Sequence, residues 1–169
     1  MTPEHALAMA RYNSWMNDKV YAAAGTLDDA ARKLDRGAFF GSIHGTLNHL
    51  LVGDRIWMAR FTAVTSGVSR LDEELYGNFD DLAAERQRLD AVIVDWAAGL
   101  SADDLARQFE YTSLTGSVRR RSPMWFAVAH MFNHQTHHRG QLSTLLYQAG
   151  QDVGITDLSY LPGYGETLA

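Results

Sequence analysis

Four long stretches of this chain repeat their apolar residues at three- and four-residue steps. That period commits most of the sequence to amphipathic helices. In residues 3–24 the stripe is Tyr12, Trp15, Met16 and Val20, with Thr2 as cap, Pro3 in the first turn and Gly25 as terminator. A short piece from Leu27 to Leu34 adds a turn or two. A second helix starts after the Ser42 cap and carries Ile43, Leu47, Leu50, Leu51, Trp57, Met58 and Phe61 to about residue 63. Residues 64–77, with Thr65-Ser66-Gly67 and Gly77, read as a loop.

A third helix runs from about Asp80 to Ala98, its stripe being Leu82, Leu89, Val92, Ile93 and Trp96. Ser101-Ala102-Asp103-Asp104 resembles a capping box on a brief helix. From Phe109 to Arg121, β-branched and aromatic residues surround Thr115-Gly116, which reads as a small hairpin or an extended loop. The last helix is the best delimited: Ser122 caps it, Pro123 takes its first position and Gly150 ends it. The tail from Asp157 to Tyr164 is too apolar for a free linker and is expected to pack back on the helices. Together these elements predict an all-α fold. It is a four-helix bundle, with the hairpin or extended loop before the last helix, in a single domain over residues 1–169.

Composition narrows the function. With 46% hydrophobic and 21% charged residues the chain is neither disordered nor membrane-like. No apolar run approaches the roughly 18 residues of a membrane span, and the first residues lack the marks of an export signal. A cytoplasmic location is therefore the expectation. The formal charge of -5 argues against nucleic acid, and Arg119-Arg120-Arg121 reads as a solvated or ion-paired turn. The absence of cysteine excludes disulfides, a thiolate nucleophile and any thiolate metal ligand.

Histidine is where chemistry concentrates. Of seven histidines, His130, His134, His137 and His138 share the last helix. Side chains four apart lie on one helical face, with Cβ atoms about 5–6 Å apart, and two such imidazoles can converge on one ion. Spacing alone leaves the pairs 130/134, 134/137 and 134/138 open. A third ligand must come from another helix. His49, mid-helix, can reach across the bundle, whereas His44 near the helix start and His5 near the terminus are expected to be exposed. The zinc-protease helix uses the same spacing but needs a glutamate after its first histidine; Gln135 stands there and cannot take a proton. A dinuclear carboxylate site needs Glu-x-x-His on two helices, and no such pair occurs.

Three segments carry a family resemblance: Tyr12-Asn13-Ser14-Trp15-Met16-Asn17, the run from Ile43 to Trp57, and the run from His130 to Gln141. On these the chain resembles the DinB/YfiT-like family of bacterial metal-binding four-helix bundles. The resemblance implies a triad of one histidine from the second helix and two from the last, which maps onto His49, His134 and His138. It also implies a divalent metal ion, zinc or nickel, and a homodimer. Adjacent helical residues differ by about 100°, so only one of His137 and His138 can face the same ion.

Three neutral imidazoles leave a coordination position open, the arrangement of catalytic rather than structural zinc. Relatives of the fold imply a transferase or isomerase that acts with a low-molecular-weight thiol activated at the metal. The alternative is a non-catalytic metal- or ligand-binding protein of the stress response. Asn48, Asp54 and Gln141 are the nearby candidates for hydrogen bonds to the ligand histidines.

Overall fold

Helix starts follow the caps. Thr2 accepts from the His5 amide at 3.2 Å and opens α1, Pro3–Gly25. Asp28 caps α2, Asp29–Lys33, and Ser42 accepts from the Gly45 amide at 3.0 Å to open α3, Ile43–Thr62. Asn78 takes the amides of Asp80 and Asp81 at the start of α4, Phe79–Ala98. The capping box between Ser101 and Asp104 opens α5, Ala102–Ala106. Strands β1, Gln108–Thr112, and β2, Arg119–Pro123, then form an antiparallel hairpin that leads into α6, Met124–Gln148. The computed structural model describes residues 1–114 and 118–165, so the Thr115-Gly116 turn lies outside the described residues.

The start of α6 differs from the sequence expectation by one residue. Ser122 is extended and pairs with Phe109 across the hairpin, so it does not cap the helix. Pro123 sits at the cap position without a side-chain bond, and the Met124 amide donates to the Arg107 carbonyl at 2.9 Å. A residue before proline is held extended, which suits the ladder better than a cap. The arginine run is likewise strand rather than turn. Arg119 and Arg121 face Glu110 at 2.9 and 3.7 Å, exposed pairs worth about 0–1 kcal/mol each.

The four long helices pack in the pairs α1 with α4, α1 with α6, α3 with α6, and α3 with α4. Leu47, Leu51, Leu82, Ile93, Met131, Leu142 and Leu146 fill the space between them, all fully buried. The tail returns as expected: Tyr12 Oη donates to the Thr156 carbonyl at 2.6 Å, and Leu161 is buried against Tyr12 and Met16. No helix among the described residues is long and apolar enough to cross a membrane.

The inward face of α4 is not wholly apolar. It consists of Leu82, Arg86, Leu89, Asp90, Ile93 and Ala97, while Val92 is 41% exposed. An apolar-only stripe picks Val92 and misses the buried ions. Arg86 Nη1 donates to Asp54 Oδ2 at 2.6 Å, and its Nη2 pairs with Asp90 Oδ1 at 2.8 Å. Asn13 and Asn17 donate to Asp90, Gln135 donates to Asp54 at 2.6 Å, and Arg139 donates to Asn13. Two carboxylates and two guanidinium groups thus balance inside the helices, tied by amides. Such a cluster survives burial only when its members are paired and hydrogen-bonded.

Candidate metal centre

His49 and Gly53 are one turn apart on α3, and His134 and His138 are one turn apart on α6. The α3–α6 contact brings them together. His49 Nε2 lies 3.2 Å from His134 Nε2 and 3.2 Å from His138 Nε2. The three candidate ligand atoms lie within 4.8 Å of one another, and His49 and His138 are buried. The remaining histidines fall elsewhere. His137 is exposed, with Nε2 3.3 Å from the Gln141 amide nitrogen, and His130 lies against Trp57 at a centroid distance of 5.0 Å. His5 is exposed, as expected. His44 is not: it is 1% exposed, with Nε2 2.9 Å from the Tyr76 carbonyl. A helix start is exposed only where nothing covers it, and here the loop of residues 64–78 does.

Hydrogen bonds fix how the rings present themselves. A carbonyl only accepts, so His49 Nδ1–H donates to the Leu71 carbonyl at 2.9 Å and its Nε2 carries the lone pair. His138 Nδ1–H donates to Gln141 Oε1 at 2.8 Å, leaving its Nε2 equally free. Two lone pairs therefore face each other at 3.2 Å, a repulsive arrangement unless a cation lies between them. Tetrahedral zinc with nitrogen bonds of about 2.0–2.1 Å spaces its ligand atoms roughly 3.3 Å apart. The donor set and spacing fit a divalent ion.

Burial and the neighbouring rings keep these imidazoles in the uncharged, metal-binding form. Burial first, then His138 and His49, push His134 down to about 3. Burial pushes His49 down to about 4 against the Leu71 bond, and burial also lowers His138.

Of Asn48, Asp54 and Gln141, only Gln141 has a hydrogen bond to a triad ring. Asp54 belongs to the buried ion cluster, as does Gln135, which lies off the centre altogether. Asn48 acts at one remove. It donates to the Tyr76 carbonyl at 3.1 Å and accepts from the Tyr76 amide at 3.0 Å, pinning the loop that supplies the Leu71 carbonyl.

Four further contributors, Phe40, Gly45, Gly53 and Leu71, were not among the candidate site residues read from the sequence. Phe40 stacks on His49, with centroids 3.7 Å apart and planes 16° from parallel. It comes that close because Gly45 has no Cβ, which would overlap the Phe40 carbonyl oxygen. A Cβ on Gly53 would lie 2.8 Å from His134 Cε1, so that glycine makes room for the ring. A mid-helix glycine was the available signal for Gly45 and Gly53. Leu71 acts through its backbone and had none.

The centre opens on a cleft of about 820 Å³ lined by Phe39, Phe40, Leu71, Leu114, His137 and Gln141. A smaller cleft of about 230 Å³ meets it at His49 and His134 from the side of Trp57 and Tyr111.

No curated protein matches the chain. The crystal structure of a DinB-like protein from Bacillus cereus ATCC 10987 is similar in fold, with a TM-score of 0.63 over 83% of this chain and 89% of that one, at 18% identity. The model of the DinB family matches residues 2–164, and the chain belongs to the DinB family.

Proposed function

We propose that the protein binds a divalent metal ion, zinc or nickel, through His49, His134 and His138, and uses the open coordination position for a low-molecular-weight thiol. The reading is that of a thiol-dependent transferase or isomerase, carried on α1, α3, α4 and α6 as a four-helix bundle. The observation that carries it is the pair of imidazole lone pairs held face to face by the Leu71 carbonyl and Gln141. Family membership is compatible with it.

When bound, the ion supplies Lewis acidity that lowers the pKa of a thiol or polarises a carbonyl at the open position. The chain does the rest. Leu71 and Gln141 lock the ring tautomers, and Phe40 covers one face of His49 and keeps water from it. The apolar walls at Phe39, Phe40, Leu71 and Leu114 suit the non-polar part of an electrophile. His137, on the same wall, offers an imidazole to take the proton a thiol sheds.

The test is turnover by metal-loaded protein with a panel of bacterial thiols and electrophiles. Product should form with zinc or nickel and stop with a chelator. No metal-dependent product across the panel would count against the catalytic assignment.

A further inference from the structure

Arg60, in the last turn of α3, is half-buried and has no carboxylate partner among the described residues. Arg55, Arg70, Arg86, Arg88 and Arg119 each have one. The Arg60 guanidinium carbon lies 4.8 Å from the Trp57 ring centroid and 4.8 Å from the Tyr111 ring centroid, with Nη2 donating to the Thr112 carbonyl at 3.0 Å. The ring contacts and the Thr112 bond hold the group in place and leave most of its five N–H donors unspent. Burial works against its charge, lowering its pKa.

This cation lines the smaller cleft, and the wall runs from it through Trp57 and His130 to His134. The Trp57 and His130 centroids are 5.0 Å apart, and those of His130 and His134 are 6.4 Å apart. A fork of donors thus stands at one end and the imidazole nitrogens of the triad at the other. In a chain with a formal charge of -5, an uncompensated guanidinium in a cleft is a local attractor for anions. A volume of about 230 Å³ leaves room for about eight groups of water size, at ~30 Å³ each.

We infer that Arg60, held against the edge-to-face pair of Trp57 and Tyr111, receives the carboxylate of a small acid whose other end lies at the histidine triad. The ligand class is a small carboxylate-bearing molecule with a thiol or carbonyl donor. The placement of its second end rests on the metal reading above; the carboxylate seat does not. The planar fork matches a carboxylate with two parallel N–H···O bonds. A role confined to fastening the hairpin to α3 uses the ring contacts and the Thr112 bond but leaves the remaining N–H donors unused.

The test loads cobalt(II) into the native protein, Arg60→Met and Arg60→Lys. Each is titrated with 3-mercaptopropionate and 6-mercaptohexanoate beside the corresponding mercapto-alcohols, read by the cobalt absorption spectrum. Native protein should prefer at least one acid over its alcohol by tenfold or more. Arg60→Met should cut that preference below twofold with an unchanged starting spectrum, and Arg60→Lys should keep part of it. Equal affinity for acid and alcohol in native protein, or a preference that survives in Arg60→Met, overturns the assignment. In parallel, metal-free protein is titrated with propanoate and the Trp57 indole and Arg60 Nε–H resonances are followed. Saturable shifts in native protein that vanish for Trp57 in Arg60→Met support the seat; no saturable shift overturns it. Failure of cobalt to load counts against the metal reading, and the propanoate titration then judges Arg60 alone.

Discussion

Replacing Gly53 by alanine perturbs the proposed centre without removing a ligand. The new Cβ would meet His134 Cε1 at 2.8 Å and Nδ1 at 3.3 Å, where ordinary contact begins at 3.4 Å. The ring must therefore retreat by about 0.6 Å, and metal–ligand distances tolerate only about ±0.2 Å. Changes just outside the ligands cost metal affinity about 10–100-fold, or ~1.4–2.8 kcal/mol. Fold stability should change less. Alanine gains about 1 kcal/mol of helix propensity over glycine, which offsets much of an overpacking cost of about 1–3 kcal/mol. Gly140 on α6 is the control, since a Cβ there meets nothing within 4 Å. Competition titrations against a chromophoric chelator, with thermal melts of the metal-free proteins, read both quantities. Gly53→Ala should lose 10–100-fold in affinity while Gly140→Ala matches native protein. Affinity within twofold of native in Gly53→Ala would refute the placement of His134 at the ion.

Two other perturbations separate framework from site. Asp54→Ala leaves Arg86 short of one carboxylate in a buried cluster and should cost about 3–5 kcal/mol in denaturant melts, with metal content per folded chain unchanged. A loss below about 1 kcal/mol, or loss of metal at full stability, would contradict that division. Glu85 sets a pH dependence of the fold. Its bonds to Arg88 and Arg55 hold it down to about 2, from 4.5, so the stabilisation is complete above the ordinary carboxylate range. It disappears as pH falls from about 4.5 through about 2. With Arg88 62% exposed, solvent screening leaves about 1–2 kcal/mol. Native protein should lose that much more than Glu85→Gln between pH 5 and about 2 in urea melts; parallel curves would remove the pair from the account.

Local rules reached the caps at Thr2, Ser42 and Ser101 because a cap and its amide are three residues apart. The same locality offered the His134/His138 pair. His49 lies 85 residues from His134, so no period could choose it; the family resemblance did, and the packing of α3 on α6 brings the three rings together. What the motif segments encode was less legible. Asn13 and Asn17 stand in the first segment, and Asp54, Gln135 and Arg139 stand near the triad histidines in the other two, yet all five belong to the buried ion cluster. A polar residue on a helix reads as solvent-facing until its partners on other helices are known. Arg86 and Asp90 displaced Val92 from the inward face of α4 for that reason. His44 shows the same limit: the loop that buries it arrives some 30 residues later, and no helical period foretells the cover. The Leu71 carbonyl had no side-chain signature at all.

Metal content across the triad tests the central claim most directly. Native protein, His49→Ala, His134→Ala, His138→Ala and the control His137→Ala are purified in parallel and assayed by elemental analysis. Native protein and His137→Ala should carry about one divalent ion per chain. Each triad variant should lose it while keeping its helical circular dichroism. Metal retained in all three triad variants, or lost only in His137→Ala, would contradict the account.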